Sequence, residues 1–141
     1  MTDLDRAKQL LSREDHTIVL CRDRACYTDT RRGIAPMLGF LEQGIDLNGF
    51  SVADRVVGKA AAMLFVCAGI RQVYAEVISQ PALDTLERYQ IPSAWGTLVP
   101  FIINRKGDGP CPMESAVREL NDAAEAPRIL REALQKLSID L

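Results

Sequence analysis

Apolar positions recur along this chain with two periods, and each period predicts elements. Leu4, Ala7, Leu10 and Leu11 fall on one helical face, so residues 3–12 read as an amphipathic helix. Residues 17–21 are β-rich, and 25–29 resume the pattern after Arg22-Asp23-Arg24, which predicts a hairpin. With Asp23-Arg24 as the turn, Cys21 and Cys26 lie opposite each other. A cross-strand disulfide and a pair of packed free thiols both fit that register; a reducing compartment favours the thiols. Residues 36–42 predict a short helix stopped near Gly44.

Ser51 opens the longest apolar segment, 52–68. Ser51-Val52-Ala53-Asp54 has the S-x-x-D form of a capping box, so the whole segment is expected to be one central helix. Asp54, Arg55 and Lys59 are its polar residues. Gly58 inside it costs about 1 kcal/mol relative to Ala, and a close approach by a ligand or another backbone would explain that cost. Gly69 ends the helix. Residues 72–78 read as a buried strand, and Ser79-Gln80-Pro81 starts a helix to about Tyr89. Residues 91–99 contain a short strand or arm, 101–103 a strand, and 104–109 a polar loop. Cys111 caps a helix beginning at Pro112. Ile129, Leu130, Ala133, Leu134 and Leu137 form a last amphipathic helix, about 128–138, after Pro127 interrupts.

This order predicts an α/β three-layer sandwich with a central mixed sheet flanked by helices. The 141 residues make one domain, 1–141, with a core of about 17–120. In such sheets a pocket forms beyond the carboxyl ends of the strands. That rule collects Ser51, Asp54, Ser79, Gln80, Asn104, Arg105 and Cys111.

Composition narrows the classes. Lys plus Arg is 17 and Asp plus Glu 19, a formal charge of −2, which argues against nucleic acid or a membrane surface as partner. No apolar run reaches the ~18 residues of a membrane span. The charged N-terminal segment has no signal-peptide core, so a cytoplasmic location with reduced cysteines is expected. One His and four Cys, with no C-x-x-C pair, exclude a His-rich metal site and argue against a closed zinc site. No cofactor is expected.

Cys111, at a helix N-terminus with Arg105 and Lys106 near in sequence, is a candidate nucleophile; its structural reading is a half-buried cap between two prolines. Asp54 is a candidate general base or amine ligand, or else a capping residue. Lys59 could reach a phosphate or pair with Glu76. Glu76 in an apolar strand is structural if paired with Lys59 or Arg105, and a general base otherwise. Asn104, Arg105 and Lys106 precede Gly107-Asp108-Gly109, a loop that could hold an anion but lacks the ending of a Walker A motif.

The element order resembles the cytidine-deaminase-like fold. The chain is similar to a prokaryotic domain-of-unknown-function family assigned to that superfamily, on Arg32-Gly33-Ile34-Ala35-Pro36, GFSVADRVVGKAAA, YAEVISQPAL and VPFIINRKGDGPCPME, together covering roughly residues 18–120. The superfamily's zinc deaminases require His-x-Glu at the start of the central helix and Pro-Cys-x-x-Cys at the next. Here those places read Ser51-Val52-Ala53-Asp54-Arg55 and Pro81-Ala82-Leu83-Asp84-Thr85, so the resemblance does not bring zinc-water deamination with it. Pro110-Cys111-Pro112-Met113-Glu114 looks like the second motif but comes one strand late. Val52-Ala53-Asp54-Arg55-Val56-Val57-Gly58 is also similar to a stretch of the formate dehydrogenase accessory sulfurtransferases, without their His-Asn or C-x-x-C. The expectation is a zinc-free deaminase-like protein that binds a small anionic or nucleotide-like ligand through Ser51, Asp54, Lys59, Ser79, Asn104, Arg105 and Cys111. The alternatives are a transferase or hydrolase using Cys111, and a non-catalytic homodimer joined by its terminal helices.

Overall fold

The structure, a computed structural model, describes residues 1–13, 15–104 and 106–140, the last three by their backbone only. Its elements are α1 (Asp3–Arg13), β1 (Ile18–Arg22), β2 (Ala25–Asp29), α2 (Ala35–Glu42), β3 (Ser51–Val57), α3 (Lys59–Ala68), β4 (Gln72–Ser79), α4 (Gln80–Arg88), β5 (Ser93–Val99), α5 (Pro112–Val117) and α6 (Ala126–Asp140). The strands form one mixed sheet in the order β2-β1-β3-β4-β5. β1 is antiparallel to both β2 and β3, and β3, β4 and β5 run parallel. Helices α3 and α4 are the crossovers of the parallel strands.

The hairpin has the expected register, with Cys21 opposite Cys26 and Asp23 at positive φ in the turn. The two cysteines are joined as a disulfide with Cα atoms 4.3 Å apart, rather than packed as free thiols. Facing residues of an antiparallel pair approach to about that distance without distortion.

The largest departure from expectation is the segment 51–68. It is not one helix: β3 runs to Val57, and the helix begins only at Lys59. Val52, Val56 and Val57 are β-branched and favour extended backbone. β3 lies between two strands and is covered on both faces over residues 51–54, so it shows no alternation that would separate it from a buried helix. Ser51 and Asp54 are therefore strand residues and form no capping box. Gly58 is the N-cap of α3, not an interior helical residue. The close approach expected there is real, and it comes from the side chain of Glu114 in α5: a Cβ on Gly58 would overlap that carboxylate. At the far end Gly69 closes α3 with φ near +74°, as the sequence predicts.

Two other expectations change. Residues 101–103 form no strand; Ile103 makes one isolated bridge to Pro110, and Phe101 and Ile103 stay exposed. Pro127 does not interrupt a helix but sits in the first turn of α6, where its missing N–H costs nothing.

The helices divide unequally. α1 covers one face of the sheet through Ala7 and Leu11, which pack on Val19, Cys21 and Ala53. The larger core lies on the other face, where α2 to α6 bury Leu38, Leu64, Phe65, Leu86, Val117 and Leu130 against Leu20, Val52 and Ile78. Of the C-terminal stripe, Ile129, Leu130, Ala133 and Leu134 pack within the chain, and Leu137 stays exposed. Among the described residues, no helix is long and apolar enough to cross a membrane.

Candidate functional site

Antiparallel pairing decides where the site lies. Ile18, which opens β1, pairs with Asp54 near the end of β3. β2 then returns the chain to the same end, because Asp29 pairs with Ile18. The segments before β1 and after β2 therefore converge on the carboxyl end of β3. There a cavity of about 700 Å³ is lined by His16, Thr17, Thr30, Arg32, Asp54, Cys111 and Glu114 among apolar residues such as Ile18, Ile34, Ala61 and Met113. That volume suits a small-molecule ligand.

Arg55 fixes one wall. Its backbone N–H donates to Thr17 O at 3.1 Å. Its guanidinium donates to His16 O at 3.1 Å, to Leu11 O, and to both Glu76 oxygens at 2.8 and 3.0 Å. The connection carrying His16 and Thr17 is thereby tied to β3. Glu76 pairs with Arg55 and not with Lys59, which makes it structural; the two residues sit on neighbouring parallel strands, on the face that α1 covers.

The floor is Asp54, buried in the sheet. Burial pushes its carboxyl up to about 7; hydrogen bonds from the Val56 and Arg55 amides and the Arg55 charge pull it down, and Glu76 adds to the rise. Near neutral pH a share of this side chain carries its proton, so it can both donate and accept. In the same cavity, the carboxylate of Glu114 accepts from the Lys59 and Ala60 N–H groups at 2.6 and 2.8 Å. Burial also raises Glu114, against the pull of those two amides and of Lys59.

Of the expected site residues, Asp54 and Cys111 share the cavity. Ser51 lies at the other end of β3, where its hydroxyl accepts from Gln72 Nε2 at 3.1 Å. Ser79 is buried and caps α4, accepting from Ala82 N–H at 3.2 Å. Lys59 opens α3, but its Nζ donates to Arg118 O at 3.0 Å and faces smaller clefts beside α4 and α5. Asn104 closes a turn onto Asp108 and does not line the cavity. Arg105 lies outside the described residues. The sequence reading missed His16, Arg32 and Glu114. His16 has no ligand-like neighbour in the sequence, yet strand pairing brings it to the cavity. Arg32 and Glu114 stand inside the stretches that carry the family resemblance.

The zinc set of a deaminase does not fit these residues. α3 opens on Gly58-Lys59-Ala60 and α4 on Gln80-Pro81-Ala82-Leu83, with no His or Cys at either start. Among the described residues, no three His, Cys, Asp or Glu gather as a metal-holding group.

Fold and cavity together define an α/β protein with a five-stranded mixed sheet, flanked by helices, and a cavity at the strand ends. The chain belongs to the family described as domain of unknown function DUF1893, whose model matches residues 6–134. Its structure is similar to the crystal structure of a DUF1893 family protein from Thermotoga maritima, with a TM-score of 0.84 and 28% sequence identity, covering 94% of this chain and 90% of that one. No curated protein matches it.

The state of Asp54 has a measurable consequence. In the unfolded chain its carboxyl titrates near 3.8, and in the fold near 7. The folded state therefore holds the extra proton between these values, and the stability tied to it is complete below about 3.8 and lost as pH rises through 7. Asp54→Asn keeps the shape without the charge. Its melting temperature is expected to exceed that of the wild type at pH 8 by roughly 5 °C or more, with the gap closing toward pH 4. A gap of equal size at both pH values in thermal melts would contradict this state of Asp54.

Proposed function

We propose that this protein is a zinc-free member of the cytidine-deaminase-like fold that binds a small nucleotide-like ligand in the cavity at the end of β3. The element order supports the fold reading: a leading helix and hairpin, then a central helix within alternating strands and helices. One observation carries the ligand reading, namely Asp54 buried on the cavity floor with a carboxyl that titrates near neutrality. Such a group presents a donor and an acceptor side by side, which matches the N–H and ring-nitrogen or carbonyl edge of a base. Apolar neighbours Ile18, Ile34 and Met113 would flank a flat ring. Arg32, exposed on the rim, would meet a phosphate. The N-terminus of α3 does not serve as the phosphate site in this reading, because the Glu114 carboxylate holds it.

Thermal shift against inorganic phosphate, bases, nucleosides and nucleotides tests this. Base-containing ligands at about 100 times their Kd are expected to raise the melting temperature by roughly 5 to 10 °C. Asp54→Ala should abolish the rise, and Arg32→Ala should weaken it for phosphorylated ligands alone. A flat panel, or a rise indifferent to Asp54, would sink the reading.

A second reading rests on the same cavity holding both Cys111 and His16. Cys111 would then be the nucleophile of a transferase or hydrolase, and His16, in the same cavity, its candidate base. In that case iodoacetamide at pH 6 to 7 labels Cys111 well ahead of Cys67, and His16→Ala slows the labelling. A Cys111 that reacts like an ordinary free thiol rules this out.

A further inference from the structure

The two edges of the sheet are built differently. The β2 edge is defended: Asp23, Arg24, Asp29 and Arg31 lie along it or at its ends, Asp29 and Arg31 are paired at 2.8 Å, and Arg6 reaches the Ala25 carbonyl at 3.4 Å. Such charges are how sheet edges avoid pairing with other chains. The β5 edge has none of this. Between Arg88 and Arg105 the sequence contains no Asp, Glu, Lys or Arg. β5 pairs with β4 on one side, and among the described residues no strand covers its other side. Apolar side chains are also exposed here: Trp95 is 39% exposed, Leu98 41%, Phe101 70% and Ile103 61%. Apart from Val56 and residues near the chain ends, these are the exposed large hydrophobic residues among the described ones.

We propose that the β5 edge pairs with the β5 edge of a second copy of this chain, making one continuous sheet across a two-fold axis. The missing charge is what points to a copy and not to an unlike partner. Across a two-fold axis each residue meets its own counterpart or a near neighbour, so a charged strand would oppose itself. An uncharged one meets no such penalty, and it offers no charge by which an unlike partner could be selected. The flanking prolines limit the contact. Pro92 and Pro100 bracket Ser93–Val99, and neither has an N–H with which to extend a ladder. Antiparallel pairing centred on Gly96 then sets Trp95 opposite Thr97 and Leu98 opposite Ala94, a large side chain against a smaller one in each case. Gly96 is fixed by packing on the other side of β5, since a Cβ there would lie 2.9 Å from the Glu76 carbonyl oxygen.

Sedimentation velocity on the full chain tests this, with Thr97→Lys and Leu98→Lys as separate variants. Both positions are exposed, and circular dichroism melts at low concentration check that each variant folds. At about 100 μM, where a micromolar dimer is saturated, the wild type is expected at twice the chain mass and both variants at the single-chain mass. In the wild type, alternate amides of β5 should also exchange more slowly than in the variants. A wild type that stays monomeric overturns the proposal. So does a dimer that survives both lysines, which would place the contact elsewhere, and so does a monomer that binds an unlike strand at this edge.

Discussion

Much of this structure depends on one carboxylate set against one helix end. Glu114, carried by α5, accepts two N–H bonds from the first turn of α3. A helix start has unsatisfied donors and a partial positive charge, and an ionised acceptor there makes a strong, short hydrogen bond. The contact fixes where β3 gives way to α3. It also explains Gly58, whose place against the carboxylate leaves no room for a side chain. It holds α5, only six residues long, against the core. Because Cys111 immediately precedes α5, the same contact sets one wall of the cavity.

The other walls follow from strand direction. β1 runs against its neighbours, so its first residues lie beside the last residues of β3, and the hairpin returns the chain to the same end. Arg55 then secures the approach to β1 from the opposite face of the sheet. The result is a cavity with one acid on its floor and another in its wall, both displaced upward by burial but held differently. Asp54 lies in the sheet, where burial carries its carboxyl up to about 7 against the Val56 and Arg55 amides, whereas Glu114 faces the amides of a helix end.

How much of this the sequence displays depends on how local the cause is. The hairpin register, α1, α4, α6 and β4 are legible because turn residues, caps and periodicity act over a few positions. Segment 51–68 is not, because strand and helix alike are buried on several sides and no polar phase separates them. Gly58 marks the junction and is conspicuous in the sequence, but its reason lies in Glu114, far along the chain in α5. Residues 101–103 have strand composition, but their pairing stops at the single bridge from Ile103 to Pro110. Asp54 and Cys111 are found by the rule that pockets form at strand ends. Ser51 and Ser79 are polar for capping and cross-strand bonds instead, and His16 enters only once the pairing of β1 with β3 is known.

A double-mutant cycle on Gly58 and Glu114 tests the central contact most directly. Equilibrium denaturation of Gly58→Ala, Glu114→Ala and the double variant gives the coupling between them. Loss of the Glu114 cap should cost about 1 to 2 kcal/mol. Gly58→Ala should cost at least as much in the wild type, by displacing that cap, and close to nothing once Glu114 is alanine, so the two changes should be strongly non-additive. Additive effects would show that the carboxylate and the glycine act independently, and that the α3 start is not held by Glu114.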